Sequence, residues 1–437
     1  MLKGGWTPSE TTRFGALVAM VDGEYGVAPN AIDDASDPFA SRVRYERVED
    51  QRGISGQLSM QWDPDGPLDV RSWVYANQLG EDRRRYDDDS YDSMSDPRSS
   101  GTFRADNDSL LAGHALHAGW SFGRYGRLKG AFQARREDFD TEGRIRDVRL
   151  GGGRFDLRDF DASAHQSVIN GGIEYEVEPL RDVGLVLGYG HSFLDKDSGE
   201  NDDGATFLAG SYWKLRPGAR LRGSLSRKVR FPSLRQLYEP GSGNADLGAE
   251  HSWSYELGVS QELPGRTLVD LTAFWLDVDD YIETDEATGE LANQDQYRFR
   301  GVELTMRTQP LEALDLLASY SFLDSENRSH GTGRNGLQNR PSHRGTFEAR
   351  YRLPYGLALR GALYYVADQV VYSRQEPVRQ RGTGDYFLAD LRIAKTLLEE
   401  RAWLYFGVDN VGDADFQESY GIPGPGRVFY GGLEGRF

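Results

Sequence analysis

The sequence contains no cysteine, which excludes disulfide frameworks and thiolate metal sites. It has no run of about eighteen or more apolar residues, so no transmembrane helix is encoded. No positively charged start leads into an apolar core, so no secretory leader is visible. Positive charge is scarce: 51 Lys and Arg stand against 69 Asp and Glu, a net charge of -18. That balance argues against nucleic acid as a partner. The 7 His are scattered, none at metal-ligand spacing. His114 and His117, three apart on a strand, point to opposite faces. Gly151-Gly152-Gly153 lacks the strand-and-helix context of a phosphate loop, and no nucleophile elbow appears. Nothing in the chain reads as an enzyme.

What remains is an unusual combination. The hydrophobic fraction is 38% and mean hydropathy is -0.63. Yet aromatics reach 12%, with 23 Tyr, and there are 52 Gly. Disordered chains are aromatic-poor. A polar average with many aromatics suits a barrel whose lumen and loops are wet while a narrow outer band is apolar.

The connections point the same way. Asp63-Pro64-Asp65-Gly66, Gly123-Arg124-Tyr125-Gly126, Pro179-Leu180-Arg181-Asp182, Leu263-Pro264-Gly265-Arg266 and Leu353-Pro354-Tyr355-Gly356 are tight turns. Longer, acidic, Gly- and Ser-rich loops fall near 25–40, 85–101, 144–158, 196–204, 232–249, 284–292, 325–341, 373–385 and 412–426. Between them lie roughly eighteen strands, plus a stub at Met1–Trp6 ahead of a turn at Thr7–Glu10. Trp253, Tyr255, Leu257 and Val259 alternate with Ser254, Glu256, Gly258 and Ser260; Leu357, Leu359, Leu363 and Tyr365 alternate with Arg360 and Tyr364. Each such stretch approaches the length that crosses a bilayer as a strand. The charges on the opposite face call for a wet lumen. Arg298–Arg307 breaks parity midway, which predicts a bulge. The expected fold is all-β: an antiparallel transmembrane barrel of about 18 strands, with short turns on the periplasmic side and long extracellular loops. Repeated blades and interdomain linkers, which a propeller or a multidomain soluble protein would need, are missing.

Residues 229–250 read Val-Arg-Phe-Pro-Ser-Leu-Arg-Gln-Leu-Tyr-Glu-Pro-Gly-Ser-Gly-Asn-Ala-Asp-Leu-Gly-Ala-Glu. This resembles the TonB-dependent outer-membrane receptors, in which a Phe-Pro and Leu-Tyr segment precedes a Gly-Asn-Pro-Asp-Leu loop and a Tyr-Glu-x-Gly strand. Phe231, Pro232, Leu237, Tyr238, Asn244, Asp246, Leu247 and Glu250 match; Ala245 and Ala249 replace prolines. Arg300-Gly301-Val302-Glu303-Leu304, the segment from Val408 through Asn410 to Phe416, and the terminal Phe437 are similar too. The resemblance is to siderophore and vitamin B12 receptors. It implies a twenty-two-stranded barrel with a plug, TonB-driven uptake of a metal chelate or vitamin, outer-membrane lipid around a monomer, and a Gram-negative host. Residues 1–437 match the barrel alone; the plug is absent, which suits an N-terminally truncated chain. TonB would act only through that plug. The alternatives are a plugless passive pore and a soluble acidic all-β binding protein. The closing strand at Phe437 is then left either to pair near Arg13–Val21 or to keep an open edge.

Candidate sites follow from the loops. Tyr86, Tyr91, Tyr238 and Tyr420 could stack on a ligand, whereas Tyr372 suits the interfacial girdle. Asp87, Asp88, Asp89 and Asp92 have the oxygen density for Ca²⁺, without the spacing of an EF-hand. The same chemistry is thinner at Asn201, Asp202 and Asp203. No cofactor is otherwise expected.

Overall fold

The computed structural model describes all residues except 35, 41–42, 95–102, 148–155, 242, 285–290, 330–332, 375–376, 399–400 and 436–437. The chain opens with β1 (Leu2–Ser9), β2 (Thr12–Val27), β3 (Tyr45–Trp62), β4 (Leu68–Tyr86), β5 (Phe103–Ser121) and β6 (Arg127–Asp147). It continues with β7 (Asp156–Leu180), β8 (Val183–Lys196), β9 (Asp202–Arg216) and β10 (Ala219–Arg230), then the helix α1 (Leu234–Tyr238). Next come β11 (Glu250–Leu263), β12 (Thr267–Thr284), β13 (Leu291–Leu311), β14 (Leu314–Asn327), β15 (His343–Leu353) and β16 (Leu357–Ala367). Two short hairpins complete the set, β17 (Val370–Tyr372) with β18 (Gln380–Gly382) and β21 (Gln417–Ser419) with β22 (Ile422–Pro423). They alternate with β19 (Tyr386–Leu397), β20 (Ala402–Asp409) and β23 (Val428–Gly435).

Nineteen strands form one antiparallel meander, each pairing with its neighbour in the chain, hairpins aside. The count equals the eighteen expected strands plus the stub. The stub itself is longer than expected: β1 runs through Pro8 to Ser9, with a register shift between Trp6 and Ser9. An edge strand tolerates the missing N–H of proline there.

All the tight turns lie at one end of the meander and all the long loops at the other, because consecutive strands reverse direction. Along the strands, alternation divides the sheet into two faces. Leu58, Leu187, Leu257, Phe387, Phe406 and Leu433 are exposed on the outer face. Ser254, Glu256, Asp270, Arg222 and Thr272 lie on the inner one, where Arg222 reaches both oxygens of Asp270 at 2.7 Å. Exposed apolar side chains on one face and paired charges on the other are the signature of a lipid-facing wall with a wet interior.

The predicted bulge in Arg298–Arg307 is not present. The stretch pairs without a register shift against both β12 and β14. Its outward residues change from Arg298 and Arg300 to Val302, Leu304 and Met306 because the strand descends from water into the apolar band. The change marks depth along a regular strand.

The buried apolar clusters gather at the long-loop end, where loops fold inward onto the inner face. Leu234 of α1 packs on Phe139 of β6 and Ala164 of β7. Leu237 and Leu247 pack on Ile282 of β12. Leu337, from the β14–β15 loop, packs on Val278 and Tyr297. Tyr372 belongs here and not to an outer girdle: it is 5% exposed, and its hydroxyl accepts the Gly336 N–H at 3.0 Å.

The meander does not close on itself among the described residues. β1 pairs only with β2, and β23 only with β20. With nineteen antiparallel strands, the first and last run in the same direction, so neither can complete an antiparallel ladder with the other. Of the two outcomes expected for the closing strand, the open edge is the one found. The gap is spanned above by loops: the Ala31 N–H donates to the Gly421 carbonyl at 2.7 Å, and Asn30 Nδ2 donates to the Tyr420 carbonyl at 3.2 Å.

Candidate ligand site at the loop-bearing mouth

The segment 231–249 is the most firmly held loop. Ser233 caps α1 in a capping box with Gln236, which satisfies two orphan N–H groups of a single-turn helix. Pro232 and Leu247 are fully buried. Asn244 Nδ2 donates to the Leu291 carbonyl at 2.8 Å, and its Oδ1 accepts the Asp246 N–H at 2.9 Å. Asn293 clamps Gly248 from both sides, at 2.9 and 3.1 Å. Lys196 Nζ donates to the Leu247 carbonyl at 3.0 Å. At the base, Glu250 is 6% exposed; it receives both arms of Arg230 at 2.5 and 2.6 Å and the Ile282 N–H at 2.8 Å. Phe231 is half-buried beside them. The motif Phe231–Glu250 thus builds a latch that seats α1 against the inner wall. Arg235 projects from it with Glu239 at 3.0 Å and Glu81 of β4 at 3.9 Å.

The four candidate tyrosines lie in three separate places. Tyr86 and Tyr91 share one aromatic group, ring centres 5.4 Å apart, with Tyr45 6.0 Å from Tyr91 and the Arg47 guanidinium 4.0 Å above it. Tyr86 is buried there and donates to Glu49. Tyr238 ends α1, and its hydroxyl donates to the Ser198 carbonyl at 2.6 Å. Tyr420 sits where three loops meet. Its hydroxyl donates to Asp37 Oδ2 at 2.8 Å and accepts from Arg381 at 2.7 Å. Phe39 lies 6.1 Å from its ring. Burial, then the Asp37 hydrogen bond, pushes the Tyr420 hydroxyl above the usual phenol range. The Phe39 N–H, outweighing partial burial, holds Asp37 below the usual carboxylate range.

The acidic loop is tied up in its own turns. Asp88 Oδ1 accepts the Ser90 N–H at 3.0 Å and the Ser90 hydroxyl at 2.5 Å, and Asp87 accepts Ser93. Those bonds lower the acidity constant of Asp88. Among the described residues no three acidic or histidine side chains converge on a metal-sized point. Asp89 and Asp92 therefore join no ligand set, and no step is routed through calcium. Asp202 accepts the Ala249 N–H at 2.6 Å while Asp203 faces His191 at 2.7 Å, so these two neighbours are on opposite faces.

Asn410 holds the β20–β23 loop. Its backbone lies in the left-handed region at φ 50°. Its amide donates to the Ala414 and Pro425 carbonyls at 2.9 and 3.3 Å, its Oδ1 accepts the Ala414 N–H at 2.9 Å, and its own N–H meets Asp390 at 2.9 Å. Phe437 lies outside the described residues. Sequence reasoning missed Asp37, Phe39, Arg381 and Leu337. Their partners are remote in the chain, so no local pattern could have revealed them.

A long antiparallel meander with tight turns at one end, in-folded loops at the other, an apolar outer face and a charged inner face defines an outer-membrane transport barrel. The family model described as TonB dependent receptor-like, beta-barrel, matches residues 3–411, and the chain belongs to that family, whose members are transporters and not enzymes. Similar solved structures include the copper transporter OprC, at 16% identity and TM-score 0.77, covering 99% of this chain and 72% of that one. The siderophore receptor PiuA from Acinetobacter baumannii is 13% identical at TM-score 0.74, covering 97% and 72%. The ferric yersiniabactin uptake receptor FyuA from Yersinia pestis is 16% identical at TM-score 0.70, covering 98% and 68%.

Proposed function

We propose that the chain is the ligand-capturing barrel of a receptor that imports a siderophore- or cobalamin-like metal chelate across a Gram-negative outer membrane, with TonB supplying the energy through a plug segment outside these residues. The observation that carries this reading is the inward folding of the long loops. Leu234, Leu237 and Leu337 anchor them on the inner wall, which places loop side chains across the path of any solute entering from the loop end. A plain pore needs no such packing. The solved neighbours named for siderophore and copper transport support a metal-bearing cargo.

The test is uptake. Cells carrying the full-length gene should accumulate a radiolabelled metal chelate, and inactivating TonB should abolish it. Accumulation that persists without TonB and rises linearly with concentration would instead establish a passive pore.

A further inference from the structure

Charge at the mouth is segregated. Residues 328–344 hold four arginines and no Asp or Glu, in a chain whose net charge is -18. The adjacent loop adds Arg374, Arg379 and Arg381. The two loops are bound together: the Asn339 N–H donates to the Val370 carbonyl at 2.9 Å, and the Ser342 N–H to the Asp368 carbonyl at 3.2 Å. The opposite side of the mouth carries Asp33, Asp34 and Asp37, and then Asp87, Asp88, Asp89 and Asp92.

Arginines elsewhere in this protein are commonly neutralised. Arg83 and Arg85 share Glu46, Arg222 holds Asp270, Arg230 holds Glu250, and Arg300 holds Asp324. Arg340, Arg344, Arg374 and Arg379 differ. All four are exposed, and among the described residues none has a side-chain hydrogen bond or an ion pair within 4 Å. Arg344 begins β15 opposite Ser321 and Val366, on the inner face. Close to it on that face, Tyr386 stacks with Phe416 at 5.0 Å, beside a cavity of about 390 Å³. Four uncompensated guanidinium groups next to an aromatic-walled hollow suit a ligand that carries oxyanions on a flat, apolar frame. Guanidinium forks recognise such groups in pairs, and a basic patch on an acidic body steers anions toward itself.

We infer that the arginines of the β14–β15 and β16–β19 loops form the docking crown for a polyanionic metal chelate, one presenting several carboxylate or phenolate oxygens. This inference rests on the receptor reading above. The same cations could also meet lipid phosphates, but the inward placement of Arg344 assigns them to the solute.

The test uses the full-length receptor in detergent, wild type and the triple variant R340Q/R344Q/R379Q. The probes are ferric citrate and a ferric tris-catecholate, both anionic, and a neutral ferric tris-hydroxamate. Wild type should bind at least one anionic probe with an affinity that falls as salt rises. The triple variant should lose about tenfold or more of that affinity and most of its salt dependence. R84Q, on the far side of the mouth, should bind as wild type. Binding of the neutral chelate alone, or anionic binding that ignores both salt and the triple variant, overturns the crown and leaves the receptor reading standing. No binding of any chelate, with no uptake in cells, overturns both. Loss of binding to vesicles containing phosphorylated lipid, with chelate binding intact, would reassign the arginines to the membrane surface.

Discussion

Single side chains in this protein act mainly by holding loops in place. Glu250 shows it best. Its carboxylate is buried and satisfies Arg230 and the Ile282 N–H together. Glu250→Ala strands both partners at once, and a cost of about 2–4 kcal/mol is expected. Thermal unfolding should fall accordingly, and limited proteolysis should begin within 231–249; unchanged proteolysis would show that the latch is held without it. Tyr420 and Asp37 make a second case, with a pH window. Asp37 has a depressed folded acidity constant, so its contribution is complete above about pH 4 and is lost as pH falls through the lower folded value. Tyr420 is raised, so its contribution is complete below about pH 10 and disappears as pH rises through the higher folded value. Protection of the loops around Asp37, Arg381 and Tyr420, followed by hydrogen exchange corrected for its own pH dependence, should therefore be flat between these limits and drop outside them. Tyr420→Phe should remove the alkaline drop and keep the acid one.

At the level of elements, depth along a strand decides what a position tolerates. β11 places Leu257 on the outer face, 60% exposed, and Glu256 on the inner face. Leu257→Arg puts a cation into the apolar band and should cost about 2–4 kcal/mol; Glu256→Gln, facing the wet interior, should be close to neutral. The folded fraction recovered in the outer membrane distinguishes the two, and equal losses would mean that the two faces are misassigned. The same rule explains why the alternation was readable before any coordinates. Side chains at i and i+2 share a face whatever the tertiary context. It also explains the misread stretch Arg298–Arg307. A change from arginine to valine along one face resembles a register slip when the water boundary is invisible in the sequence. α1 was not legible either. Five residues between Ser233 and Glu239 are too few to show helical periodicity, and the helix exists because Leu234 and Leu237 find Phe139, Ala164 and Ile282.

For the molecule as a whole, the decisive features are the two free edges of the meander. β1 and β23 each lack a partner on one side and run the same way, so only an odd number of intervening antiparallel strands can join them. Unpaired backbone is costly in lipid. In the chain as described, hydrogen exchange should be fastest in Leu2–Ser9 and Val428–Gly435 and slowest in the central strands β5–β8. Equal protection at the edges would mean that they have found partners. The strand number, the two-sided connections, the apolar outer band and the family were already determined by the sequence, because turn chemistry and period-2 alternation are local. The clustering of the mouth was decided only by the tertiary structure. Asn30 meets Tyr420 across 390 positions, Tyr372 folds inward under Gly336, and the arginines of two loops converge on one side. Each of these contacts joins residues with no sequence relation. They form because the wall brings distant loop ends together and because buried leucines, not the loops' own propensities, hold them there.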